Sequence, residues 1–267
     1  MKHFAFMRSS RPESSEAFPL LLTEGGDNLL LTEGGDPLML TEGVASTPME
    51  IGLLGTPAVT GTGTTTVGPY TPVANSRLLA FALYRRGGSI NQVTKATITT
   101  ELPWVERADA VQALASPTSA RATCWTAVAD SNPKPVSTTF DSANGNVIWG
   151  VICQIPDSLL DFSNVGGDID TNGDPAPVLA AAALDDSLLI AGCAVTLNEN
   201  LGQQPPDPYL TTPPGFTNLF NGARAIGTSQ NPLAVQVCYR IAKGANGAAW
   251  NSAGFISASV IIEVKHV

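Results

Sequence analysis

The residues best arranged for chemistry lie in Gly167-Asp168-Ile169-Asp170-Thr171-Asn172-Gly173-Asp174. Asp168, Asp170, Asn172 and Asp174 place a side-chain oxygen at every second position, and Gly173 can supply a tight bend. This is how a calcium loop of the EF-hand type opens, with alternating oxygens wrapping one hard cation. The pattern departs from that loop at its last ligand. Leu179 stands where the bidentate glutamate belongs, and Pro175 and Pro177 oppose an exiting helix. The alternative for the same residues is an Asp/Asn/Gly turn between strands. Calcium on Asp168, Asp170, Asn172 and Asp174 is the one cofactor the residues suggest.

Other chemistries lack their parts. Histidine occurs only as His3 and His266, one near each end, whereas Ser-His-Asp or Cys-His nucleophile systems hold an imidazole in a cleft. Paired carboxylates could run glycoside hydrolysis on a β-sandwich. Glu101, Glu106, Asp109, Asp141 and Glu263 show no telling spacing, however, and read as solvated surface. Cys124, Cys153, Cys193 and Cys238 sit far apart in apolar runs, without metal or redox spacing, and are expected reduced and buried. Sugar stacking needs exposed aromatic faces. Trp125 and Trp149 lie inside apolar runs and read as core, which leaves Trp104 and Trp250 as the glycan-contact candidates. The chain is not expected to be an enzyme.

Composition narrows the partners. The 267 residues carry a net charge of −9, which disfavours tracking a phosphate backbone, so no nucleic-acid partner is expected. Charged residues are only 14% of the chain, which suits a surface largely covered by other proteins. No apolar run approaches the roughly 18–20 residues that span a bilayer, and membrane insertion is not expected. The first residues, MKHFAFMRSSRPESSE, lack the apolar stretch of a secretory signal.

The elements that must position these residues are short and turn-bounded. Near the N-terminus, PLLLTEGGDNLLLTEGGDPLMLTEG repeats a unit of leucines followed by Gly-Gly-Asp. It reads as strand then turn, and is too small to form a core by itself. Its Gly-Gly-Asp lacks the second glycine and the aspartate spacing of a calcium β-roll. Runs 77–84, 95–100, 120–128, 146–155, 187–195, 233–240 and 258–264 read as strands; 178–183 reads as strand or helical turn. The one amphipathic helix candidate is 105–114. With 25 glycines and 20 prolines between strand runs, the expected fold is all-β. It is expected as a jelly-roll-like β-sandwich over 55–267, preceded by an extended β arm over 1–54.

The tandem LLLTEGGD units resemble the Leu-Leu-Leu-x-(Glu/Asp)-Gly repeats of tailed-bacteriophage structural proteins, over about Leu20 to Gly43. That resemblance implies a non-enzymatic virion protein, assembled in the host cytoplasm and anchored by its arm. Capsid decoration, as a cement or head-fibre protein, stands ahead of a tail-fibre or tail-tip component. A carbohydrate-binding module used in host adsorption, with host surface glycans as partner, is the other class. The implied partners are further copies of the chain, as a homotrimer, and other virion proteins such as the major capsid or tail proteins. In a trimer, Leu20, Leu22, Leu29, Leu31, Leu38 and Leu40 would be buried by neighbouring subunits.

Overall fold

The computed structural model describes residues 5–7, 20–22, 49–87, 94–113, 118–143, 147–156, 160–171, 174–197, 209–226, 230–252 and 254–266. The chain divides into the segment Met1–Pro48 and a compact body, Met49–Val267. In the first, β1 (Ala5–Met7) pairs antiparallel with β2 (Leu20–Leu22). The side chains of Leu20 and Leu22, and all of Leu29, Leu31, Leu38 and Leu40, lie outside the described residues, as does Asn172.

The body begins with β3 (Gly52–Leu53), β4 (Ala58–Thr60), β5 (Thr64–Tyr70), β6 (Arg77–Gly87), β7 (Thr97–Thr99) and β8 (Val105–Ala113). It continues with β9 (Thr118–Val128), β10 (Val136–Asp141), β11 (Val147–Ile155), β12 (Leu160–Asp161) and β13 (Val165–Asp170). It ends with β14 (Leu188–Leu197), β15 (Thr217–Ile226), β16 (Gln230–Ile241) and β17 (Gly254–His266). Every pairing among these strands is antiparallel. The all-β expectation holds. Residues 49–54, assigned from sequence to the arm, belong to the body, because β3 pairs with β11.

Three sheets stack. One six-stranded sheet runs β3-β11-β6-β9-β8, with β4 also on β11. The other runs β12-β17-β14-β16-β15, with β13 also on β17. Their facing sides close a core containing Phe81, Leu83, Trp149, Val151, Ile190, Val235 and Val260. The small sheet β5-β10-β7 covers the far side of the first, placing Phe140 over Tyr84, Trp125 and Ile148. Segments around 179–183, 209–216 and 242–250 cover the far side of the second, over Leu189, Cys193 and Cys238.

Burial on both faces explains the continuous apolar runs. In β6, Leu79, Phe81 and Leu83 face one core while Ala80, Ala82 and Tyr84 face another. A strand with only one buried face would alternate with polar residues. The layers approach closely where glycine allows it. A Cβ on Gly150 would lie 2.6 Å from the Phe140 ring, and one on Gly192 would lie 2.8 Å from Phe81.

The helix expected over 105–114 is strand β8. A bulge between Glu106 and Ala108 shifts the register against β9, and this breaks the period-two pattern that would have marked a strand. Val178 makes one isolated bridge, to Gly247, within an irregular covering segment.

Candidate interaction surface

The acidic stretch is a strand with a turn behind it. Asp168 and Asp170 lie on β13, paired with β17. Asp168 Oδ2 accepts the Ala176 N–H at 2.7 Å, Asp170 Oδ1 accepts that of Asp174 at 3.3 Å, and Asp174 Oδ1 accepts that of Ser252 at 2.8 Å. These carboxylates hold the covering segment to the sheet, as Asx side chains do in turns. Among the described residues, no group of three His, Cys, Asp or Glu is arranged to hold a metal ion.

Asp109 and Asp168 line one shallow depression between β8 and β13. Asp109 is committed elsewhere, to an ion pair with Arg121 and a 2.8 Å hydrogen bond from Thr123. Burial pushes its carboxyl up, but the hydrogen bonds from Arg121 and Thr123 outweigh this and leave it below its ordinary range. Glu106 pairs with Lys95 at 3.0 Å, and Asp141 accepts from Thr64 Oγ1 at 2.6 Å. Glu263, read from sequence as solvated, is only 2% exposed. It takes the Asn164 side-chain amide at 2.6 Å and the Leu184 N–H at 2.7 Å.

All four cysteines are free and buried, as their contexts predicted. Burial pushes the Cys153 thiol up to about 12 and raises the other three as well, which suppresses the nucleophilic thiolate. Trp250, a candidate for exposure, is 3% exposed, because 242–250 folds back over the second sheet. Its Nε1–H donates to Gln236 Oε1 at 2.7 Å. Trp104 is half-buried beside Leu78 and Ala127. The Trp250 ring is therefore covered and does not stand free as a stacking platform.

What the body does gather is apolar surface at one end. Arg77, which opens β6, lies opposite Val128 and Ile155, which close β9 and β11. Leu188 opens β14 opposite Ile241 and Val264. The two sheet ends coincide, because Thr126, Val128, Leu160 and Phe162 line one cavity and the Arg107 guanidinium lies 6.0 Å over the Phe162 ring. At this end Leu53, Val73, Val105, Val128, Leu184 and Ile241 are exposed, and Leu184 and Val105 each show 52% of their surface. Around them stand charges, including the Lys265–Asp161 pair at 3.3 Å. Exposed apolar side chains grouped at one end, with charges among them, are what a protein interface can be built from. The sequence does not mark these residues, since an apolar residue at a strand end looks the same whether buried or exposed.

No family model matches the chain, and neither a curated protein nor a solved structure matches it. Among the described residues, no helix is long and apolar enough to cross a membrane.

Proposed function

We propose that this chain is a structural protein of a tailed-bacteriophage particle, assembling as a homotrimer and decorating the capsid. The observation that carries the reading is the apolar end of the body, a surface built to be covered by protein. The N-terminal leucine repeat supports it from the sequence side, as an arm whose Leu20, Leu22, Leu29, Leu31, Leu38 and Leu40 are covered by neighbouring subunits. The finer fold proposed for the body is a jelly roll. A jelly roll pairs its first, eighth, third and sixth strands in one sheet and its second, seventh, fourth and fifth in the other. Counting from β4 to β11, the orders β4-β11-β6-β9 and β5-β10-β7 follow that pattern, with β8 transferred to the edge beside β9.

The test is assembly of the full chain. Light scattering is expected to give a trimer, and imaging of labelled particles to place it on the capsid. Replacing Val73 and Leu184 by lysine should abolish association while the urea midpoint of the separated chain stays put. A monomeric full-length protein whose 19–43 segment is cut readily by protease would refute the proposal.

A further inference from the structure

The two six-stranded sheets share one plan. Beside β11 stand β3 and β4 on one side and β6, β9 and β8 in turn on the other. Beside β17 stand β13 and, past its end, the two-residue β12 on one side and β14, β16 and β15 in turn on the other; β12 has no counterpart in the first sheet. Chain order is the same in both: β3/β4 answer to β13, β6 to β14, β8 to β15, β9 to β16, and β11 to β17.

The correspondence holds residue by residue. Aligning Arg77, Val128 and Ile155 with Leu188, Ile241 and Val264 brings Ser76 onto Ser187. Ser76 Oγ donates to Val73 O at 2.7 Å, and Ser187 Oγ donates to Leu184 O at 2.7 Å. The Ser76 carbonyl accepts the Ala129 N–H at 2.9 Å, and the Ser187 carbonyl accepts that of Ala242 at 2.8 Å. Gln154 Oε1 accepts the Val73 N–H at 2.8 Å, while Glu263 Oε1, at the matching place on β17, accepts the Leu184 N–H at 2.7 Å. The hairpin bulges match as well, following Glu106 opposite Trp125 and Asn218 opposite Cys238. Even the covers correspond. Where β5 runs antiparallel to β10, the equivalent connections run antiparallel through Leu179 N–H to Asn246 O, Ala248 N–H to Pro177 O and Trp250 N–H to Pro175 O.

Packing between the sheets obeys the exchange. β8 lies against β13 and β17, and β15 lies against β3 and β11. β9 lies against β17 and β14, and β16 lies against β11 and β6; β6 and β14 lie against each other. Each contact occurs together with its swapped counterpart, which is the property of an isologous interface. Phe81 and Gly192, equivalent positions on β6 and β14, meet where such an axis would pass.

We infer that the body is a tandem duplication. Residues 52–155 and 164–264 are two copies of one unit, and the inner face of each sheet is an interface whose partner is a second copy of that unit. What remains in the sequence is slight: Ser76-x-Leu78-x-Ala80 against Ser187-x-Leu189-x-Ala191. The inference rests on registers and hydrogen bonds, and stands whether or not the chain belongs to a virion.

A twofold makes a geometric demand. The path from Val264 to Gly52 must be as short as the path from Ile155 to Asn164, so the order of the copies can be exchanged. Two permuted chains test this, both opened between Asp157 and Ser158. One joins Val267 directly to Met1 and keeps every residue. The other joins Val267 through Gly-Gly to Met49, which gives the new connection the same number of residues as the natural one. Both are expected to unfold in a single cooperative urea transition, and the short-linked chain to run as one compact body by light scattering. If the full permutant folds and the short one fails, or folds only as an exchanged dimer, the twofold relation is wrong. Failure of both counts equally against it, because a boundary between two copies must tolerate the opening.

Discussion

The outer covers of the two six-stranded sheets solve one problem by different means. Over β6 and β11 the cover is itself a sheet, β5-β10-β7, whose backbone groups are satisfied by ladder pairing. Its packing rests on aromatic and aliphatic contact, with Phe140 against Trp125 at a ring separation of 6.1 Å and against the bare backbone of Gly150. Over β14 and β16 the cover is largely irregular, and buried side chains supply the missing partners. Gln236, fully buried, donates to Thr212 Oγ1 at 2.9 Å and Asn218 Oδ1 at 3.1 Å while accepting from Trp250. At the margin of this cover the half-buried Asn164 accepts the Ala181 N–H and donates to the Ala181 carbonyl, each at 3.1 Å. A chain that leaves its ladder must place polar side chains inside, because buried backbone groups need partners. One sheet plan therefore tolerates an apolar cover or a polar one.

The sharpest way to break the comparison is to remove the anchor of the apolar cover. Phe140→Ala should cost roughly 3–5 kcal/mol, read as a lower urea midpoint, through lost contact and the cavity left behind. The polar cover should respond to chemistry at constant bulk. Trp250→Phe keeps much of the ring but strands Gln236 Oε1, and should cost about 1–3 kcal/mol in the same measurement. No such sensitivity is expected at Phe140, which has no polar atom to lose.

Acid should separate the halves next. Burial raises the Glu263 carboxyl, but hydrogen bonds from Asn164, Leu184 and Ser187 and the charge of Lys265 bring it below its ordinary value. The unfolded chain therefore takes up this proton first. The stabilisation is complete above the ordinary carboxylate value and disappears as pH falls through the lowered one. Urea midpoints of Glu263→Gln should lose less on acidification than those of the parent chain. Gln154→Glu should import an acid sensitivity into the first half, which now has none at that place. The smallest effects test sameness instead of difference. Ser76→Ala and Ser187→Ala should each cost about 0.5–1.5 kcal/mol, since each removes one 2.7 Å bond to the carbonyl three residues back. Ser187 also serves the Glu263 carboxylate, so its loss should be somewhat the larger, and the excess should vanish in the Glu263→Ala chain.

How much of this was legible depended on burial. β6, β9, β11, β14, β16 and β17 are buried on both sides over most of their length, and their apolar runs marked them. β5, β10, β13 and β15 lie at edges or in the cover and mix threonine, glycine, asparagine and charge, so no run announces them. In β13 the aspartates that suggested calcium are the polar positions of a half-covered edge strand. Trp250 escaped notice as core because only the fold-back of 242–250 buries it. The apolar end was hidden for the opposite reason. Val128 and Ile241 close apolar strands, and nothing local separates the last buried residue from the first exposed one. The matching of the two sheets lies almost wholly in hydrogen bonds and register, which five-residue similarities do not disclose.

The four free thiols are distributed so that they can report on motion. Cys124 and Cys153 lie between the six-stranded sheets, and Cys193 and Cys238 lie beneath the irregular cover. None can meet a labelling reagent until its own layer opens. The rate at which each pair reacts is thus a separate clock, one timing the parting of the sheets and the other the lifting of the cover. If the cover is the looser of the two, the second clock will run faster, and the chain will have disclosed the order of its opening without any added probe.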